Sequence, residues 1–207
     1  MPACSEELSR ARREEIINAC AELYRTMSFK EITIKEIGRR TSFTRTSIYN
    51  YFQTREEIFL ALFRREYELW TEDIAAIEHG HETLSEEEFA DALARTLTPR
   101  GMLLKLMSMN LYDMEDNSSL EALVEFKRSY ARMLETLSRC AAKFFPRLGE
   151  EGVREFVYGF IPFLFGVYPY TSLTGKQRAA MEAAGIPDPG FGVYELTRPV
   201  ILKLLAP

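Results

Sequence analysis

Apolar residues recur at helical spacing along almost the whole chain. Between Leu8 and Met27 they fall at Ile16, Ile17, Ala19, Cys20, Leu23, Tyr24 and Met27, a stripe down one side of a helix. The connector SFKEIT follows. Thr33 then stands where an N-cap belongs and Glu36 completes the spacing of a capping box, so a short second helix is expected over Ile34–Arg40. Thr44 takes the same position before a third helix, Arg45–Phe52. Thr54 precedes a fourth, whose first turn carries Glu56 and Glu57 at the positive end of the helix dipole. In that fourth helix Ile58, Leu62, Phe63, Tyr67, Trp70, Ile74 and Ile77 keep the period.

EHGHET interrupts the pattern, and Ser85 with Glu88 starts a new helix reaching Leu97. After TPRG, a helix is expected over Met102–Asp113, followed by the polar loop DMEDNSS. The next presents Leu120, Leu123, Val124, Lys127, Tyr130, Leu134, Leu137, Ala141 and Phe144 on one face and ends at Pro146. RLGEEG leads into Val153–Val167, and shorter helices are expected over Gly175–Ala184 and Val193–Leu205. No segment alternates convincingly with a period of two, and no internal repeat is present. The pattern predicts an all-α protein of nine or ten helices.

Helices two and three reward a closer look. Ile37, Phe43, Ile48 and Phe52 are placed to face inward and pack against helix one, and TSF has the length of a helix-turn-helix turn. That packing leaves the other face of helix three to Arg45, Thr46, Tyr49 and Asn50, flanked by Ser47 and Tyr51. Arginine can read guanine edges by two hydrogen bonds and asparagine can read adenine. Hydroxyls and tyrosine OH groups suit phosphates, as do the free N–H groups at the helix starts after Thr33 and Thr54, with Arg55 adding charge. The candidate DNA-contacting set is Thr33, Lys35, Thr44, Arg45, Thr46, Ser47, Tyr49, Asn50, Tyr51 and Arg55.

Charge changes the picture modestly. The 207 residues carry a net charge of −5, which disfavours indiscriminate coating of nucleic acid. Yet residues 1–56 hold ten Lys/Arg against eight Glu, a net of +2, and the remainder holds −7. A basic front end on an acidic body fits an anion-facing module joined to a second function. The hydrophobic share of 46% supports a sizeable core in one or two domains. The N-terminus has no apolar signal-peptide core, and the apolar run FVYGFIPFLFGVYPY falls short of the roughly 20 residues that span a bilayer. A soluble cytoplasmic protein with no membrane partner is expected. Cys4, Cys20 and Cys140 form neither a disulfide framework nor a zinc pattern; Cys20 and Cys140 read as small buried hydrophobes and Cys4 as part of a frayed tail. The only histidines, His79 and His81, lie with Glu78 and Glu82 in what reads as an exposed loop rather than a metal site. No HExxH, GxSxG or glycine-rich phosphate loop occurs. No enzyme, metal or cofactor is expected.

The stretch ITIKEIGRRTSFTRTSIYNYFQTREEIFLALF resembles the DNA-binding domain of the TetR family of one-component transcriptional regulators. Ile37-Gly38, Phe43, Thr44, Ser47-Ile48-Tyr49, Phe52 and Arg55-Glu56-Glu57-Ile58 carry the match, within about Arg10 to Phe63. Three positions depart from the family pattern. Ser42 replaces a turn glycine and so is expected at positive φ, Gly38 replaces alanine, and Arg55 replaces lysine. The resemblance implies an N-terminal three-helix helix-turn-helix domain, residues 1–55, joined to a C-terminal helical ligand-sensing and dimerisation domain, residues 56–207. It also implies a homodimer built on Val153–Val167 and Val193–Leu205, a double-stranded near-palindromic operator, repression, and release by a small-molecule effector. Candidate effector-lining residues are Tyr67, Trp70, Phe89, Met107, Tyr112, Phe126, Tyr130, Phe160 and Phe163, with Pro162 bending a helix beside them. The alternative is a DNA-bound adaptor governed by a protein partner.

Overall fold

The computed structural model describes residues 2–109 and 111–206, with side chains from residue 6 onward. Eleven α-helices are present among them: α1 Pro2–Thr26, α2 Ile34–Gly38, α3 Arg45–Ile48, α4 Arg55–Gly80, α5 Glu86–Leu97, α6 Gly101–Met107, α7 Leu111–Asp116, α8 Leu120–Phe144, α9 Gly149–Thr171, α10 Gly175–Ala183 and α11 Val193–Leu205. A 3-10 turn, Pro146–Leu148, separates α8 from α9. The fold is all-α, and no strand occurs among the described residues.

The helices exceed the expected nine or ten because the stretch read as Met102–Asp113 is broken. The Ser108 hydroxyl bonds the Lys105 carbonyl at 2.8 Å and Met109 N bonds Leu106 O at 3.1 Å, tightening the chain out of α6. Part of the expected DMEDNSS loop is α7. The first helix starts at Pro2, ahead of its apolar stripe; its extra turns are polar helix formers that no periodicity marks, and proline is tolerated at a first helical position. Cys4 therefore lies in a helix along its backbone, while its side chain is outside the described residues. The ninth helix starts at Gly149, whose φ of +62° turns the chain out of the 3-10 turn. It runs on through Pro162 and Pro169.

The chain divides into two compact units, Met1–Glu66 with Asn110–Tyr130, and Tyr67–Met109 with Ala131–Pro207. Helices α4 and α8 each contribute to both. In the first unit Ile16, Ile17, Cys20, Ile37, Ile48, Phe52, Ile58, Phe59, Leu62 and Phe63 are buried. The Phe59 ring meets Tyr24 and Phe29 edge-on, at 5.1 and 4.7 Å between centroids. In the second unit α11 packs on α5 and α9, and α6 packs on α9. Trp70, fully buried, satisfies its indole N–H with Thr96 Oγ1 at 2.9 Å. Arg100 ties to Asp73 at 2.6 Å. Among the described residues no single helix is long and apolar enough to cross a membrane.

Candidate nucleic-acid interface

Residues 44–52, around α3, are built as two opposed faces. Ile48 and Phe52 are buried on one side, and Thr44, Arg45, Thr46, Tyr49 and Asn50 are exposed on the other. Arg45 reaches along the helix to Tyr49 Oη at 3.3 Å, an i,i+4 pair. Ser47 and Tyr51 are half-buried at the flanks. The Tyr51 ring lies 6.2 Å from Phe43, so its body packs in the turn region. The helix is shorter than expected. After Ile48 the chain tightens through Asn50 N to Ser47 O (3.2 Å) and Tyr51 N to Ile48 O (2.9 Å), then Phe52 N returns to Ile48 O at 3.0 Å.

Three caps were expected, and they differ in kind. Thr33 is extended at the N-cap of α2 and its hydroxyl accepts from Glu36 N at 3.2 Å. The Glu36 carboxylate accepts from that same hydroxyl. Thr44 holds the N-cap position of α3 by its backbone alone; its hydroxyl sits 3.1 Å from Ser47 Oγ and caps nothing. Thr54 Oγ1 accepts from Glu57 N at 3.2 Å. Thr33 and Lys35 are both exposed.

The turn glycine's replacement is explained without strain. No non-glycine among the described residues has a positive φ, so Ser42 does not need the left-handed region. Instead Glu15 of α1 accepts from the Ser42 amide and hydroxyl, and Arg12 donates to Ser42 Oγ at 2.7 Å. The Ser42 amide, aided by Arg12 and opposed by burial, holds the Glu15 carboxyl below its usual value of 4.5. Arg12 also lies over the Phe43 ring at 4.7 Å. Gly38 has a positive use as well: a Cβ there would stand 3.3 Å from the Arg45 backbone, so glycine lets α2 approach α3 closely.

Arg55, expected to add charge at the start of the fourth helix, is engaged within the chain there. Its guanidinium lies over the Phe29 ring at 4.1 Å, donates to the Phe29 and Ile32 carbonyls at 3.1 Å each, and pairs with Glu56 at 2.7 Å. It fastens the loop between α1 and α2 onto the start of α4. Arg13 acts similarly, donating to Tyr51 O at 2.8 Å with its guanidinium 4.5 Å from the Phe52 ring centroid.

Glu57 was legible only as a first-turn acid. It is buried, and its carboxylate accepts from Gln53 N at 2.7 Å and Ser119 N at 3.1 Å. It thus joins the turn behind α3 to the residue before α8, all within the first unit. Burial pushes its pKa up, but hydrogen bonds from Ser119, Gln53 and Thr54 outweigh that, and the group titrates below 4.5. The Thr54-x-x-Glu57 spacing was the available signal. Beside it a cleft of about 480 Å3 is lined by Tyr49, Asn50, Gln53, Arg64, Ser119 and Glu125 among others.

The nine candidate effector-lining residues do not gather in one place. Phe126, Tyr130 and Tyr112 belong to the first unit, and Tyr112 is 78% exposed. Tyr67, Trp70, Phe89, Met107 and Phe160 are buried in the second unit, and Phe163 is half-buried. Phe89 packs edge-on to Phe145 at 5.1 Å and leans on Phe156, which stacks on Phe160 and it on Phe163. The open apolar cleft of this unit, about 930 Å3 between α8 and α9, is lined by other residues.

His79 and the Glu78 beside it close α4 rather than forming a loop. Glu78 is committed to Arg139 at 2.8 Å, and His81 Nδ1 lies 3.2 Å from Ile77 O. No group of three metal-ligating side chains occurs among the described residues.

Residues 16–62 match the family model described as bacterial regulatory proteins, tetR family, and residues 64–204 match the model described as Tetracyclin repressor-like, C-terminal domain. Among curated proteins none is significantly similar. The fold is shared with the fatty acid degradation regulator FadR from Bacillus halodurans, at 16% identity and TM-score 0.61 over 93% of this chain and 97% of that one. It is shared equally with a protein assigned to the TetR-family transcriptional regulators from Mesorhizobium loti MAFF303099. There the identity is 16% and the TM-score 0.61, over 95% and 97% of the two chains.

Proposed function

The chain belongs to the TetR family of transcriptional regulators, and from that premise we propose that it is a repressor that binds a near-palindromic operator as a homodimer and leaves it when a small molecule binds. One observation carries the reading. Arg45, Thr46, Tyr49 and Asn50 stand exposed on one face of α3, backed by the buried Ile48 and Phe52. Such a face presents donors for base edges while its other side fixes its orientation. Thr33, Lys35 and Thr44 lie exposed nearby as candidate phosphate contacts.

The dimer is supported by the outer face of α9. Tyr158 and Tyr170 are 62% and 66% exposed, and Pro162 and Gly166 lie open between them. Leu196, Val200 and Leu204 of α11 are half-buried. A monomer rarely leaves so much apolar surface on two adjacent packed helices. A two-fold pairing there would offer two recognition helices to half-sites one DNA turn, ~34 Å, apart.

The second unit is the proposed sensor, with its aromatic cluster around Tyr67, Trp70, Phe89, Met107, Phe160 and Phe163 as the proposed seat of an apolar effector. Helices α4 and α8 have residues in both units, so a ligand that prefers one arrangement of them shifts the DNA-binding equilibrium by its differential affinity. The reading is tested by titrating DNA flanking the gene, by fluorescence anisotropy at several salt concentrations. It predicts tight binding to one near-palindrome. Arg45→Ala should weaken binding in a sequence-dependent way, and Lys35→Ala should weaken it for all sequences alike. Ligand-bound and free dimers binding the operator equally well would contradict the effector half of the proposal.

A further inference from the structure

We propose that in the homodimer each chain's segment 172–192 crosses over and seats in the partner's groove between α8 and α9. This rests on the dimer reading above and names how the interface is completed.

The segment is an arm with nothing of its own to hold. Helix α10 buries none of its residues, and every residue from 172 to 192 is exposed or half-exposed. Ile186 and Phe191 are 55% and 51% exposed. Yet the arm is carefully shaped. Thr174 and Gln177 form a complete capping box, Arg178 pairs with Asp188 at 2.5 Å, and Gly185 and Gly190 turn the chain at φ of +69° and +65°. A helix below ~12 residues is marginal in water unless it packs on something. Nine residues with a formed cap and no buried face imply a missing surface.

The groove supplies a surface with the right character. It holds about 930 Å3, with Leu134, Phe145, Val153 and Val157 lining it. Tyr158 lines its edge and also belongs to the exposed α9 face, so groove and proposed dimer face are continuous.

Reach decides which copy's arm enters. The groove meets α9 at Gly149–Tyr158, whereas the arm leaves α9 after Thr171. Val153 and Ser172 are ~28 Å apart along the helix at 1.5 Å per residue. Helix α10 rises only ~13 Å, the Arg178–Asp188 pair and the turns at Gly185 and Gly190 fold the chain after it back rather than letting it extend, and it must still return to start α11 at Val193, so the chain's own arm falls short. A two-fold axis perpendicular to α9 places the two copies antiparallel. With the crossing at the exposed Pro162, between the small residues Gly159 and Gly166, the partner subunit's Ser172 stands opposite Gly152, at the groove.

The test is cross-linking in the full chain. Cys4→Ser removes the N-terminal thiol; Cys20 and Cys140 are buried, with burial pushing both thiols up to about 12, and stay unreactive. Into this background go Ile186→Cys and Ala142→Cys together, followed by a short bis-maleimide. The expected result is a covalent dimer in denaturing gels, formed only when both cysteines are present. If the protein sediments as a dimer but yields only intrachain product or none, the arm exchange is wrong and the dimer stands. If it sediments as a monomer, both readings fall. Unsubstituted protein gives an independent check through hydrogen exchange. Amides of residues 175–186 should be protected in the dimer and lose that protection on dilution to monomer. Equal exchange in both states would overturn the proposal.

Discussion

The polar face of α3 and the aromatic cluster of the second unit were both picked out by residue type, and the structure treats them differently. Arg45, Thr46, Tyr49 and Asn50 are exposed, with donors and acceptors turned outward. Tyr67, Trp70, Phe89, Met107 and Phe160 are buried, and Phe89 and Phe160 are joined through the Phe156 ring. An exposed side chain keeps its chemistry available, so its type says what it can touch. A buried aromatic ring is explained first by the ~1.5–3 kcal/mol its burial contributes, so its type alone says little about a ligand.

The largest effects should come from the cluster. Trp70→Ala or Phe89→Ala should cost ~3–5 kcal/mol in denaturant unfolding, because a closed core collapses poorly around such a loss. A cost under ~1 kcal/mol would mean that the surrounding side chains refill the space with little loss. Next comes a contrast between two arginines. Arg55→Ala should destabilise the first unit by ~1.5–3 kcal/mol, since it strands the Phe29 and Ile32 carbonyls and Glu56. Arg45→Ala should leave stability within ~0.5 kcal/mol and act only on DNA, where it should cost ~1–3 kcal/mol of discrimination. Equal loss of stability in both variants would make Arg45 a fastening residue like Arg55 rather than one reserved for DNA.

The smallest effect is in the acid limb. Glu57 and Glu15 titrate below 4.5 in the folded chain. The unfolded state therefore binds more protons in that range, and the stability these groups contribute is complete above about 4.5 and lost as pH falls through their lowered folded values. Glu57→Gln should flatten that loss and lower stability at neutral pH, as read from unfolding midpoints between pH 7 and 3. An unchanged acid profile would mean that the clasp on Gln53 N and Ser119 N contributes nothing.

Much of the fold could be read beforehand, for reasons that are local. The Ser85–Glu88 capping box forms as its spacing suggests, and α11 spans Val193–Leu205 because periodicity and the preceding glycine define both ends. The start of α1 could not be read, since polar helix formers leave no stripe. The Thr174–Gln177 cap has only a weak apolar run behind it. The role of Arg55 was hidden for a different reason: its partners are backbone carbonyls 23 and 26 residues away, which no spacing announces. Ser42 taught the same lesson, its turn being held by Glu15 and Arg12 of another helix.

The measurement that bears most directly on the central claim compares the chain with its Arg45→Ala and Asn50→Ala variants. Anisotropy titrations would use DNA flanking the gene and a scrambled duplex, at several salt concentrations. The account predicts tight binding to one near-palindromic site, with both variants losing preference for that site while keeping their fold and their weak affinity for the scrambled duplex. Equal, weak binding of the unsubstituted protein to every duplex, unchanged by either substitution and by prior unfolding and refolding to strip bound ligand, would contradict it.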